Sequence, residues 1–232
     1  MNILALDTAT ESCSVALLTA DALIDRHALT PRRHAEYVLP MAEALLAEAG
    51  LARAQLDGIA VGRGPGAFTG VRLAVSVAQG LAFALDLPVV TVSSLAALAM
   101  EAPADDAATL AVIDARMGEI YAGAFVRTDD GGVRALDDER VCRAADLVLP
   151  SAPAWHVVGT GWGVYAEALG ACLPSAPRSA DAARYPQARH VARLAAPRFA
   201  AGDTLAPEQA LPVYLRDKVA QTLAERGKPT PH

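Results

Sequence analysis

The stretch Gly62-Arg63-Gly64-Pro65-Gly66-Ala67-Phe68-Thr69-Gly70-Val71-Arg72 constrains this chain more than any other. A short apolar run, Gly58-Ile59-Ala60-Val61, leads into it and reads as a buried strand, and a long Ala-rich run leads out and reads as a helix over 68–84. Glycine reaches positive φ and lets a backbone or ligand come close, while Pro65 fixes one φ and removes one donor. The result is a strand, tight loop and helix, with the first N–H groups of the helix unpaired within it. Such a junction can cradle a phosphate. The Walker pattern fails, because neither its second glycine nor its lysine is present. The dinucleotide pattern fits Gly62, Gly64 and Ala67, but the acidic residue it needs about 20 positions on is matched only by Asp86, which precedes the next strand. Two readings stand: a phosphate cradle, or a loop that packs a helix tightly on a sheet.

The helix after the loop has one polar arc, Arg72, Ser76 and Gln79, and is otherwise apolar or small. A helix of that kind is buried on most sides. One sheet covers one side, so another helix or a partner chain is expected on the other. Upstream, a strand over 3–6 ends at Asp7, and strands over 13–18 and 23–28 complete an antiparallel meander. A helix over 34–49 follows, with Val38, Met41, Ala42, Leu45 and Ala49 on one stripe and Pro40 expected to bend it or mark its first turn. A strand over 89–92 and a short helix over 94–100, capped by Ser93 or Ser94, close a βββαβαβα order.

Ala102-Pro103-Ala104-Asp105-Asp106 is a shift in composition and divides the chain into a first domain (1–103), a second (104–224) whose last helix is free to pack back on the first, and a tail (225–232) expected to be disordered. In the second part, strands over 109–113 and 120–126 flank Asp114-Ala115-Arg116-Met117-Gly118, and a hairpin turn lies at Asp129-Asp130-Gly131-Gly132. A strand over 155–158 leads into a second glycine loop, Gly159-Thr160-Gly161-Trp162-Gly163, and a helix over 164–171. A surface loop over 173–186, a helix over 187–200 despite Pro197, and an extended segment over 212–216 complete the reading. The pattern of strand, aspartate turn and strand occurs twice, at Asp7 and at Asp114.

The 232 residues are 53% hydrophobic, which suits a sizeable core, and the formal net charge of −6 disfavours a surface that grips nucleic acid by itself. No run of about 18 uninterrupted apolar residues suggests a membrane span. The start of the chain lacks a basic signal-peptide region, so a cytoplasmic location is expected. Cys13, Cys142 and Cys172 are widely spaced, without a C-x-x-C pair, which argues against structural zinc and a disulfide framework. The histidines, at 27, 34, 156, 190 and 232, include no pair at metal-binding helical spacing, and His34 reads as a helix cap or surface residue. Asp7 and Asp114 can each hold Mg²⁺ beside a nucleotide or simply bond the backbone of a turn. Arg63, Arg72 and Arg116 suit a phosphate, a carboxylate or solvent equally, and Arg216, Lys218, Arg226 and Lys228 read as a solvated end. No nucleophile elbow is present.

Taken together, Ile3-Leu4-Ala5-Leu6-Asp7-Thr8-Ala9-Thr10-Glu11, Gly64 to Arg72, Val92-Ser93-Ser94-Leu95, Asp114 to Tyr121 and Tyr214-Leu215-Arg216 resemble the TsaB (YeaZ) family. The resemblance implies an α/β fold of the actin/Hsp70/sugar-kinase (ASKHA) type, with two related domains, the second reduced. It implies a non-catalytic subunit that dimerises with TsaD, the enzyme that makes threonylcarbamoyladenosine in tRNA, with the ATPase TsaE docking on the pair. TsaD carries two metal-binding histidines on its corresponding helix; here Val38 stands four residues after His34, so no metal site carries over and no cofactor is expected. The family dimerises through the two helices that here carry His34, Tyr37, Val38, Met41 and Leu45, and Val71, Ala74, Val75, Ala78, Leu81 and Ala82. The same face is expected to form a homodimer in isolation, and tRNA is expected to be met through the complex. A second reading stays open: a nucleotide-binding ATPase or kinase-like enzyme of the same fold, using Asp7, Thr8, Asp114, Gly159 and Gly161, a site that is vestigial on the first reading. A metallopeptidase is a distant third.

Overall fold

Two sheets form, each begun by a buried strand that runs into an aspartate turn. The structure, a computed structural model, describes residues 1–216; the tail at 225–232 and the basic residues Lys218, Arg226 and Lys228 lie outside the described residues. The first sheet contains β1 (Ile3–Asp7), β2 (Ser12–Leu18), β3 (Leu23–Leu29), β4 (Gly58–Gly62) and β5 (Val89–Val92), in the order β3-β2-β1-β4-β5. Strands β1, β2 and β3 are antiparallel, while β1, β4 and β5 are parallel. Between them come α1 (His34–Glu48), α2 (Phe68–Leu85) and, after β5, α3 (Ser94–Ala99). Ser93 caps α3, its Oγ accepting the N–H groups of Leu95 and Ala96. Pro40 lies inside α1 on its exposed side, where the helix continues around it.

The second sheet repeats the plan. Its strands are β6 (Ala108–Arg116), β7 (Glu119–Arg127), β8 (Val133–Ala135), β9 (Arg140–Arg143), β10 (Trp155–Val158) and β11 (Ser179–Asp181). The order is β11-β10-β6-β7-β8, with β9 also on β7. As β1 lies between antiparallel β2 and parallel β4, so β6 lies between antiparallel β7 and parallel β10. Helix α4 (Thr160–Cys172) joins β10 to β11 as α2 joins β4 to β5. Where the first half carries α1, the second has a single 3-10 turn, Ala144–Asp146, so the repeat is reduced.

Three short strands depart from the expected pattern. Strands β8, β9 and β11 are three or four residues long, and β11 lies inside the expected surface loop. Their exposed or charged residues give no alternation to read. The second glycine loop is also shorter than expected. Gly159 precedes the helix, but Gly161 and Gly163 are helical, and a Cβ on Gly161 would sit 3.1 Å from Val112 Cβ, so this glycine seats α4 on β6.

The inward faces of α1 and α2 cover one side of the first sheet. Val38, Ala42, Leu45 and Leu46 join Ala74, Val75, Ala78 and Ala82 over Leu6, Val15, Ile59 and Val61. Helix α5 (Ala188–Ala200), from the C-terminal half, covers the other side through Val191, Ala192 and Ala195 on Ile3, Ala16 and Val90. Among the described residues α2 alone is long and apolar enough to cross a membrane. Here its inner stripe is part of this core.

The chain passes between the sheets after α3 and again before α5, and buried polar groups hold both crossings. Glu101 accepts hydrogen bonds from Arg189 at 2.6 Å, His190 at 2.7 Å and Arg184 at 3.2 Å. Burial alone would raise its pKa, but the bonds from His190 and Arg189 outweigh that and hold it down to about 2. His156, buried on β10, bonds Ser179 Oγ at 2.7 Å and both oxygens of Asp105 at 3.1 Å, which pins the linker to β10 and β11.

Candidate functional site

The first glycine loop is packed against the turn after β1. A Cβ on Gly62 would lie 1.9 Å from Asp7 Oδ2, one on Gly66 2.2 Å from the Ala9 carbonyl, and one on Gly70 2.1 Å from the Thr8 carbonyl. Glycine is needed at each because a side chain would collide with the Asp7 carboxylate at 62 and with the backbone of the turn at 66 and 70. Three donors of the loop are occupied within the protein. Arg63 N–H donates to Val92 O at 2.8 Å, Gly64 N–H to Ser94 Oγ at 3.2 Å, and Ala67 N–H to Ala9 O at 2.7 Å. The loop packs a helix on a sheet, and these amides do not face a ligand.

Asp7 lies beneath this loop with no exposed surface. Its Oδ1 accepts Ala9 N–H at 2.8 Å and its Oδ2 accepts the Ser94 hydroxyl at 2.7 Å. Burial raises its pKa to about 6, against the lowering effect of those two bonds. Thr8 is equally buried and donates its hydroxyl to Gly70 O at 2.7 Å. Asp114 ends in the corresponding turn of the second sheet. Its Oδ1 accepts Arg116 N–H at 2.8 Å, and its Oδ2 pairs with Arg116 Nη1 at 2.9 Å. The same guanidinium reaches Glu11 Oε1 at 2.8 Å, so Arg116 bridges the two aspartate turns. Gly159 is beside them at φ 111°, with Val112 O 2.2 Å from where a Cβ would stand, and Asp114 N–H donates to Thr160 Oγ1 at 3.2 Å. Asp114, Gly159 and Gly161 therefore gather at one turn, while Asp7 and Thr8 are sealed under the other.

A cleft of about 250 Å³ lies between these turns, lined by Glu11, Phe68, Asp114, Arg116, Tyr121 and the segment from Val213 to Arg216. At its mouth the Arg72 guanidinium lies 3.6 Å from the Phe68 ring centroid and donates from Nε to Tyr214 OH at 2.6 Å. Among the described residues, no group of three or more His, Cys, Asp or Glu side chains is arranged to hold a metal.

The expected partner-binding residues fall into two sets. His34, Val38, Leu45, Val71, Ala74, Val75, Ala78 and Ala82 are buried, so they do not form an accessible face of this chain. His34 is neither cap nor surface residue: it is turned inward, 3.1 Å from Thr30 Oγ1, and burial lowers its pKa. The small side chains at 74, 78 and 82 let α2 sit close on the sheet. Tyr37, Met41 and Leu81 are half-buried at the edge of that core. The outward face of α2 is instead Leu73, Ser76, Gly80, Phe83 and Ala84; Phe83 is 81% exposed, and nothing among the described residues lies within 4 Å of a Cβ on Gly80. Leu39, Leu46, Leu81 and Leu85 frame an adjoining groove of about 160 Å³ between α1 and α2. The polar arc of Arg72 and Ser76 marks this side of the helix, and Phe83 falls on the same side at about 100° per residue.

Residues 28–224 match the family described as TsaD: tRNA N6-adenosine threonylcarbamoyltransferase. The chain is 40% identical over 226 residues to the tRNA threonylcarbamoyladenosine biosynthesis protein TsaB of Escherichia coli, covering 95% of this chain and 96% of that protein. The protein of the same name from Haemophilus influenzae is 39% identical, over 94% and 95%. YeaZ from Pseudomonas aeruginosa superposes with a TM-score of 0.85 at 45% identity, covering 92% of this chain and 99% of that one. The duplicated two-sheet plan is that of the ASKHA fold. On sequence and structure alike, the chain belongs to the TsaB (YeaZ) family.

Proposed function

We propose that this chain is the non-catalytic subunit that pairs with TsaD, and through that pair with TsaE, in threonylcarbamoylation of the tRNA adenosine next to the anticodon. A role in threonylcarbamoyladenosine biosynthesis accords with the names of its relatives. The observation that carries the finer reading is the outward face of α2 with its neighbouring groove. Phe83, Leu73 and the framing leucines are apolar, while Ser76, Gly80 and Ala84 leave room for a facing helix. Apolar surface of this kind gains roughly 25 cal/mol per Å² when covered. TsaD is the proposed partner, with a second copy of this chain taking its place when TsaD is absent. Tyr37, Met41 and Leu81 border the contact, and the buried residues of both helices support it from beneath. A cytoplasmic location belongs to the same reading.

The packing of the loops supports a non-catalytic role: Asp7 is sealed, and Arg116 holds the Asp114 carboxylate. The cleft beside Asp114 favours the alternative, a nucleotide-binding ATPase or kinase-like enzyme. Reconstitution separates the two. Modification of tRNA by TsaD and TsaE is expected to require this chain, which by itself neither transfers the group nor turns over ATP. ATP turnover by the isolated chain would support the alternative.

A further inference from the structure

After α5 the chain returns along the first sheet. Val89 and Leu205 exchange backbone hydrogen bonds at 2.9 and 2.8 Å, and Ala210 enters the core beside α2, its carbonyl accepting from Gln79 Nε2 at 3.0 Å. The chain then leaves the sheet and crosses the cleft. On the first-sheet side, Val213 N–H donates to Arg63 O at 2.9 Å, and Tyr214 OH accepts from Arg72. On the second-sheet side, Arg216 Nη2 donates to Glu119 Oε2 at 2.5 Å and to Ala115 O at 3.1 Å. Residues 213–216 thus touch both walls, at a place distinct from the two covalent crossings that Glu101 holds.

We propose that residues 210–216 are a releasable clasp that ties the two walls of the cleft together. Two features make it releasable. Arg216 Nε is buried and has no hydrogen-bond partner among the described residues, which reduces the gain on closing. The pair with Glu119 is partly solvated, and such pairs are weak. The first-sheet anchor is stronger in packing, because the Phe68 and Tyr214 rings meet at 5.6 Å between centroids and the Arg72 guanidinium stacks on Phe68. Opening therefore begins at Arg216. It frees the β6–β7 turn and the Arg116 bridge to Glu11 while both hydrophobic cores stay intact. The clasp lies along the polar arc of α2, since Gln79 and Arg72 are its contacts there. Access to the cleft is in this way tied to the flank of that helix.

Hydrogen exchange on the full-length chain tests this, comparing wild type with Arg216→Ala and Tyr214→Phe. Release of the clasp predicts exchange about tenfold faster at residues 115–119 and 9–11 in Arg216→Ala, with the amides of β1, β4 and β5 unchanged. Tyr214→Phe, which loses only the hydroxyl at the opposite anchor, is expected to accelerate the same two segments to a smaller degree. Because both variants act on one unit, the double variant should exchange no faster there than Arg216→Ala alone. Rates at 115–119 and 9–11 that stay within about twofold of wild type in Arg216→Ala would overturn the proposal. So would acceleration spread equally over the core strands, which would mark general destabilisation rather than an opened clasp. The readout uses this chain alone, so it stands or fails separately from pairing with TsaD.

Discussion

At Asp7 the surroundings outweigh the residue's ordinary chemistry. An aspartate after a strand reads from sequence as a metal ligand or a turn carboxylate, and nothing in Asp7-Thr8-Ala9 reveals that a loop more than fifty residues later closes over it. The glycines that permit the closure are legible; the object they approach is not, because it is set by the parallel pairing of β1 and β4. The pKa of about 6 has a measurable consequence. Between the unfolded value near 3.8 and this folded value the native state binds more protons, so Asp7 makes stability fall as pH rises from about 4 to about 6 and then level off. The fall is on the order of 3 kcal/mol. Urea unfolding across that range is expected to show this loss in wild type and not in Asp7→Asn, with the variant the more stable above pH 7. Gly66→Ala meets the Ala9 carbonyl and is expected to cost about 3 kcal/mol in the same assay.

Helix α2 shows what pattern reading gives at the scale of an element. Its existence, length and apolar character were legible, and it begins at Phe68 as expected. Its orientation was carried only by the short polar arc of Arg72, Ser76 and Gln79, because the small residues at 74, 78 and 82 and those at 76, 80 and 84 form two stripes that look alike as helix-packing surfaces. The structure puts the first stripe inward. Ala78→Arg is accordingly expected to unfold the chain, seen as loss of a cooperative melt by circular dichroism. Gly80→Ala, at an exposed helix position with open space around it, is expected to raise stability by roughly 0.5–1 kcal/mol. The short strands β8, β9 and β11 are not legible for a different reason: they exist because a neighbouring strand pairs with them, and their own side chains carry no period.

For the whole molecule, the duplication was visible as two aspartate turns, while its extent became clear only from the strand orders of the two sheets. The return of α5 to the first sheet places Glu101 where both crossings meet, an arrangement no local motif announces. Its depressed pKa means that it stabilises the fold above about pH 4.5, with that contribution lost as pH falls toward 2. Glu101→Gln leaves Arg184, Arg189 and His190 without their carboxylate and is expected to cost about 3–5 kcal/mol at neutral pH, measured by urea unfolding. The central claim, that the outward face of α2 receives TsaD, is tested by sedimentation velocity of TsaD mixed with wild-type chain and with Gly80→Arg. The account predicts a 1:1 complex with wild type, and affinity at least ~100-fold weaker with the variant, whose melting temperature stays close to wild type because position 80 faces solvent. A folded Gly80→Arg chain that binds TsaD as tightly as wild type would contradict it.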